Sequence, residues 1–253
     1  MWNPYDFTDK KIVITGATSG IGKATAIRLA QQGAKISIIA RNESKIADTI
    51  ALLEGTGHKG YVKDLNDSGG YTDIFDDIVS DGNKIDGLVY SAGIAKILPV
   101  GKLEKKTMDE SMNTNLYSFA EMIGTLSKRK YHDKASIVGV SSISTLYPQK
   151  CQGIYVATKA AMDALVTSVA IELAAKGIRI NTVKPASTNT EMLREAFENK
   201  TEEQIKETIE LQVLGLTEPE DIADIIIFLL SDASRAITGR SIFADGGYIN
   251  LTT

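Results

Sequence analysis

The chain has 253 residues, 43% of them hydrophobic and 24% charged, with a net charge of −4. That composition supports one sizeable core, and the mild acidic balance excludes nucleic acid as an expected partner. Cys151 is the only cysteine and His58 and His132 the only histidines, so neither an intrachain disulfide nor a metal site is expected. The start, Met1-Trp2-Asn3-Pro4-Tyr5-Asp6, lacks the basic and apolar regions of a secretory signal. The longest strongly apolar run, Ile225 to Leu230, is too short to span a membrane, so a cytoplasmic protein with no membrane partner is expected.

Lys11-Ile12-Val13-Ile14 reads as a buried strand, followed by a helix from Gly22 to Gln32 with Ile27, Leu29 and Ala30 facing the core and Gly33 as its stop. Further strands are predicted at Ile36 to Ala40, Gly60 to Val62, Gly87 to Tyr90, Ser136 to Val140, Ile178 to Val183 and Ser241 to Ala244. Helical patterns lie near 44–54, 70–80, 104–127, 155–175 and 219–230. Alternation of this kind predicts an α/β fold, a doubly wound parallel sheet of about seven strands with helices on both faces. No linker or repeat interrupts it, so 1–253 is read as a single domain. Ser187 to Leu216, polar and charged, reads as one or two mobile helices outside the sheet that cover the substrate.

Thr15-Gly16-Ala17-Thr18-Ser19-Gly20-Ile21-Gly22 follows the first strand and opens the first helix, the context of a dinucleotide-binding turn. Gly16 permits the tight turn, Gly20 lets backbone approach a pyrophosphate, and Gly22 allows close helix–strand packing. The helix start offers free N–H groups to the phosphates. The second strand ends Ile38-Ile39-Ala40-Arg41-Asn42, with no carboxylate before Glu43. A carboxylate there would accept the ribose hydroxyls of NAD; Arg41 instead suits the 2′-phosphate of NADP, so NADP(H) is expected in preference to NAD(H). Ser19 stands where a second basic residue would strengthen that preference.

Tyr155-Val156-Ala157-Thr158-Lys159 places a phenol and an ammonium four residues apart on one helix face. A free phenol titrates near 10. A neighbouring cation favours phenolate, so Lys159 is expected to lower Tyr155 and make it a proton donor in reduction and an acceptor in oxidation. Ser142 lies thirteen residues before Tyr155, at the end of the strand running to Ser141, where its hydroxyl would hold a substrate oxygen. Strand alternation sends Ser141 and Ser142 to opposite faces, so only one of them serves.

Together these segments resemble the short-chain dehydrogenase/reductases over nearly the whole chain, in particular the short single-domain branch that includes 3-oxoacyl-[acyl-carrier-protein] reductases. The glycine spacing resembles their TGxxxGxG turn, and Asn115, Ser142, Tyr155 and Lys159 match their catalytic tetrad in type and interval. By that resemblance Asn115 supports a helix irregularity and a water chain to Lys159, with Asn113 the neighbour that could be confused with it. The resemblance implies a Rossmann fold and a cofactor site built from Gly16, Thr18, Ser19, Gly20, Ile21, Gly22, Arg41, Asp64, Leu65, Ser91, Ala92, Gly93, Tyr155, Lys159, Pro185, Thr188 and Thr190. Asp64 and Leu65 would hold the adenine, and Thr188 and Thr190 the carboxamide. It also implies a homotetramer. The family's Asn-Asn-Ala-Gly is here Tyr90-Ser91-Ala92-Gly93, and its Pro-Gly is Pro185-Ala186, which would reshape the nicotinamide turn if positive φ were needed.

The reading is an NADP(H)-dependent oxidoreductase acting on a small-molecule carbonyl or secondary alcohol, or on a carrier-bound acyl chain. Lys128, Arg129, Lys130, Lys134 and Lys176 form a basic cluster that an acidic carrier would fit. Two other readings are a non-catalytic dinucleotide sensor or scaffold of the same fold, for which the intact tetrad would be superfluous, and a sugar epimerase or dehydratase, whose relatives carry a longer chain.

Overall fold

The computed structural model describes residues 3–198 and 200–248, so the ends of the expected 1–253 domain, Met1 and Trp2 among them, lie outside the described residues. The strands are β1 (Lys11–Thr15), β2 (Lys35–Ala40), β3 (Lys59–Val62), β4 (Gly87–Tyr90), β5 (Ala135–Val140), β6 (Ile178–Pro185) and β7 (Ser241–Ala244). They form one parallel sheet in the order β3-β2-β1-β4-β5-β6-β7. The helices are α1 (Gly20–Gln31), α2 (Glu43–Ile50), α3 (Tyr71–Ile78), α4 (Lys105–Met112), α5 (Ser118–Leu126), α6 (Gly153–Ala174), α7 (Glu191–Phe197), α8 (Glu202–Glu210) and α9 (Pro219–Leu230).

The two-residue strand period divides the core between the faces of this sheet. Ile12, Ile14, Ile36, Ile38, Val138 and Val183 pack with Leu29 of α1 and Ile222 and Ile226 of α9. Val13, Ile39, Ile137 and Ile180 point the other way, to Phe75 of α3, Phe119 of α5 and Met162 and Val166 of α6. Both faces are covered, which is why the strands read as continuous apolar runs. Strand order reverses between β1 and β4, and the crevice outside their carboxyl ends is where open α/β sheets bind ligands.

Most predicted elements move by only one or two residues, but the second helix stops at Ile50, short of the expected 54, and three further expectations change in substance. The single helix expected over 104–127 is α4 and α5 joined by a π-helical segment, Asn113–Tyr117. The sixth strand continues through Pro185 rather than stopping at Val183. And α6, at 22 residues, is by length and composition apolar enough to cross a membrane, which a search for unbroken apolar runs overlooks. Here it lies against the sheet and buries Lys159 and Thr158.

The 187–216 excursion contains α7 and α8. Its ends are pinned together: Thr188 and Thr217 form a parallel bridge, with their hydroxyls 3.0 Å apart. The Asn189 amide donates to both carboxylate oxygens of Glu218, at 3.1 and 3.0 Å. The α8 start is closed by a Thr201–Gln204 capping box, and α9 begins with Pro219 behind a Glu218–Asp221 box.

His132, just before β5, is fully buried with neither ring nitrogen hydrogen-bonded. Burial holds its pKa below the ordinary 6.5. In the unfolded chain it takes up a proton as pH falls through that value, whereas the native protein resists, so His132 costs stability on the acid side. His132→Phe is expected to lose a few degrees less of its melting temperature between neutral and mildly acidic pH than the parent; equal losses in the two proteins would remove His132 as a cause.

Candidate active site

The carboxyl ends of β1, β4, β5 and β6 border the crevice, and the residues singled out in the sequence lie on the segments that follow the strands, in the π-helical segment or on α6. The β1 turn is shaped by contacts that tolerate no side chain. Gly16 has φ +68°, and a Cβ on it would lie 2.8 Å from the Cα and N of Ala92. The same close approach lets the Ala92 N–H donate to Thr15 Oγ1 at 3.2 Å, tying β4 to β1. A Cβ on Gly22 would lie 2.5 Å from the Gly16 carbonyl oxygen.

α1 then begins without a side-chain cap: Ser19 accepts no capping hydrogen bond, and the first turn has no acidic residue. The N–H groups of Gly20, Ile21 and Gly22 are left without helical partners at the positive end of the helix dipole. That arrangement fits an anionic pyrophosphate, and a dinucleotide is the group these residues would hold. Thr18 and Ile21 are half-buried along the turn and Ser19 is exposed. Gly20, with φ +47°, meets the start of α7: a Cβ there would come within 3.0 Å of Thr190 Cγ2.

Around the rest of the crevice, Arg41 is exposed directly after β2, and Asn42 beside it caps α2 through Lys45 N–H at 3.0 Å. Asp64 is exposed and accepts from Asn66 N–H at 2.9 Å. Leu65 is buried, and its carbonyl accepts from Ser118 Oγ at 2.5 Å. Ser91 is half-buried at the β4 edge. Its neighbour Tyr90, where the family pattern has asparagine, turns into the core: its hydroxyl donates to the Thr114 carbonyl at 2.5 Å, a group in the π-helical segment. Pro185 ends β6, and Ala186 after it does not adopt positive φ. Thr188 faces Thr217 rather than the open crevice, while Thr190 caps α7 through Leu193 N–H at 3.4 Å.

Asn115 is fully buried within the π-helical segment. Its Oδ1 accepts from Ile94 N–H at 2.9 Å, and its Nδ2 donates to the Ile94 carbonyl at 3.0 Å and Thr158 Oγ1 at 2.9 Å. It thereby links the β4 loop, the helix irregularity and α6. Asn113 lies outside this network and reaches Asn66 instead. Of the two serines, Ser141 turns towards the α6 backbone, with its hydroxyl 3.4 Å from the Lys159 carbonyl. Ser142 caps a short helical turn at Ile143–Thr145 and shares a 2.7 Å hydrogen bond with Ser144 Oγ.

Lys159 is buried and donates to the Val140 carbonyl at 2.6 Å, with its ammonium 5.9 Å from the centre of the Tyr155 ring. Gly93 makes room for it: a Cβ there would come within 3.3 Å of Lys159 Nζ and 3.4 Å of Asn115 Oδ1. The Lys159 ammonium and the Asn115 amide therefore meet over one glycine at the β4 edge.

The electrostatics differ from the sequence expectation. Burial raises the Tyr155 phenol above its ordinary 10, and the Ser142 hydroxyl beside it only partly offsets this. The net shift is upward, opposite to the lowering expected from Lys159. The same burial pushes the Lys159 ammonium down to about 8, with the Asp163 carboxylate acting in the opposite sense. Desolvation outweighs the attraction expected between two groups four residues apart.

Sequence reasoning missed Thr158, Asp163 and Lys184. Thr158 holds Asn115. Asp163 and Lys184 form an ion pair at 2.9 Å between α6 and β6, with side chains 14% and 9% exposed. A carboxylate one turn beyond Lys159 on an apolar helix, and a lysine near the end of an apolar strand, were the available signals.

Residues 16–249 match the family model described as enoyl-(acyl carrier protein) reductase. The chain is 32% identical over 251 residues to an L-xylulose reductase of Caenorhabditis elegans, covering 97% of this chain and 98% of the relative. It is 34% identical over 247 residues to a 3-oxoacyl-[acyl-carrier-protein] reductase of Thermotoga maritima, covering 95% and 98%. Its fold superposes with a TM-score of 0.84, at 25% identity and 96% coverage of each chain, on a 3-oxoacyl (acyl-carrier-protein) reductase of Agrobacterium tumefaciens solved with NADP bound. With the glycine turn, the seven-stranded Rossmann sheet and these matches together, the chain belongs to the short-chain dehydrogenase/reductase family of oxidoreductases.

Proposed function

We propose that the protein is an NADP(H)-dependent oxidoreductase that interconverts a carbonyl and a secondary alcohol, with Tyr155 as the proton-transfer group. The observation that carries this reading is the meeting of Lys159 and Asn115 over Gly93, with the Tyr155 ring 5.9 Å from the Lys159 ammonium and the neighbouring Ala92 backbone packed on the Gly16 turn that leads into the uncapped α1. When bound, the nicotinamide supplies or takes up the hydride. Tyr155 gives its proton to the carbonyl oxygen in reduction and receives one in oxidation. Ser142 donates to the same oxygen and orients it. Lys159, charged below about 8, stabilises the phenolate left after proton transfer. Asn115 holds the π-helical segment against α6 and keeps these groups in register.

The raised phenol stays protonated at neutral pH, so the proton that reduction requires is in place. A panel of ketones, sugars, polyols, steroids and 3-oxoacyl thioesters, followed by NADPH and NADH absorbance, tests the activity. Cofactor binding with no turnover across the panel would favour the sensor or scaffold reading. The excursion through α7 and α8 covers the substrate in this reading, because its start already rests on Gly20. The outward face of α6, which carries Ala157, Ala160, Ala164 and Ile171, supports association into a homotetramer.

Arg41 selects NADPH over NADH. It stands free and exposed where a carboxylate would be needed to prefer NAD. Charge-assisted hydrogen bonds to a phosphate contribute about 1.5–3 kcal/mol. Arg41→Ala is therefore expected to raise KM for NADPH by about 10- to 100-fold and to leave KM for NADH within a small factor. Parallel steady-state kinetics with both cofactors check this, and an equal loss for both would reassign Arg41.

A further inference from the structure

We infer that Lys184 is a positioning residue that locks the Ser142 turn to the helix carrying Tyr155 and Lys159. The inference rests on the proposed carbonyl–alcohol chemistry, which needs the serine and tyrosine hydroxyls to meet at one oxygen.

The case is a continuous set of contacts. Lys184 is the penultimate residue of β6, just before Pro185, and is 7% exposed. Its ammonium lies 2.9 Å from Asp163 Oδ2 on α6, an ionic contact whose angle is not that of a hydrogen bond. It also donates to Thr145 Oγ1 at 2.9 Å. Thr145 Oγ1 donates in turn to the Ser142 carbonyl at 3.0 Å, and the Thr145 N–H reaches that carbonyl at 3.3 Å. One ammonium thus ties the turn bearing Ser142 to the helix bearing Tyr155.

The anchor is itself held. Asp163 Oδ1 accepts from Thr182 Oγ1 at 2.8 Å and from Ser241 Oγ at 3.4 Å, so β6 and β7 both fix the carboxylate. The Phe243 ring lies 5.8 Å from the Lys184 ammonium. Burying a lysine and an aspartate costs desolvation that a well-packed apolar pair would avoid. What the pair supplies and an apolar pair cannot is a directed donor to Thr145. Lys184 touches no reacting atom in this account; it acts through Thr145 and Ser142.

The test uses Lys184→Met, Thr145→Val and Thr145→Ser in the full chain, with Tyr155→Phe as the reference for the chemistry. Lys184→Met is expected to lower kcat by about 10- to 100-fold, the range for misplacing a reacting group, with KM for NADPH nearly unchanged. Thr145→Val should fall in the same direction, while Thr145→Ser, which keeps the hydroxyl, retains activity. The Lys184→Met/Thr145→Val double variant should be no worse than the weaker single variant, since both break one relay. Should Lys184→Met unfold because Asp163 is left unpaired, Lys184→Met/Asp163→Leu removes both charges and its kcat should still be low. The inference is overturned if kcat stays within about twofold of the parent in that background, if the two single effects multiply, or if serine and valine at 145 behave alike. Full turnover in Tyr155→Phe would instead overturn the functional reading; loss in Tyr155→Phe with none in Lys184→Met and Thr145→Val sinks only the role of Lys184.

Discussion

Tyr155→Phe is expected to lower kcat for carbonyl reduction by about 10²- to 10⁴-fold, the range for losing a positioned proton donor. The substitution removes one oxygen and keeps the ring, which is half-buried on α6, so the melting temperature should hardly move. The pH profile of the parent gives a second readout. Because burial raises the phenol above 10, it stays protonated through the neutral range. Lys159, lowered to about 8, carries its charge below that pH and loses it above. Reduction should therefore be level through neutral pH and decline above about 8, as the cation that stabilises the developing phenolate disappears. Oxidation needs a proton acceptor and should rise with pH over the same interval. A phenylalanine variant with most of the parental kcat would end the proton-transfer assignment.

Gly22→Ala is expected to be strongly damaging although it adds a single methyl to the glycine turn. Gly22 lies in the first turn of α1 without positive φ, so the added methyl causes no backbone strain. The difficulty is contact: its Cβ would lie 2.5 Å from the Gly16 carbonyl oxygen and 2.9 Å from the carbonyl carbon. Those are backbone atoms, which no rotamer change can remove, so the turn or the helix start must shift. Overpacking of this kind costs about 1–3 kcal/mol, or roughly 2–4 °C per kcal/mol in a chain of this size. The displaced N–H groups should also weaken NADPH binding by at least about 100-fold, because the anion site depends on their convergence. Gly124→Ala in α5 is the control: its Cβ meets nothing within 4 Å, and higher helix propensity should stabilise it by about 0.5–1 kcal/mol. Calorimetric titration with NADPH and thermal melting distinguish the two. If Gly22→Ala bound the cofactor as the parent does, the α1 start would not be the phosphate site.

The candidate site was legible where its logic is one of spacing. The interval from Tyr155 to Lys159 puts two side chains on one helical face whatever surrounds them, and the glycines after β1 announce a turn that no side chain fits. It was illegible where two neighbouring residues of one type compete. Ser141 and Ser142 are indistinguishable until β5 ends at Val140 and the next turn brings the Ser142 hydroxyl beside the Tyr155 phenol and turns Ser141 towards the α6 backbone. Asn113 and Asn115 separate only because the π-helical segment buries the second against Thr158 and leaves the first to Asn66.

Local chemistry by itself determined the alternation of strands and helices, the first turn and the tetrad intervals, since a period of two, a period of 3.6 and a missing Cβ act within a few residues. Tertiary structure alone decided the strand order that sets Gly16 against Ala92, the inward turn of Tyr90 and the meeting of Asp163 with Lys184. It also decided the direction in which Tyr155 is shifted, because desolvation depends on everything packed around a group, and no interval along the chain records that.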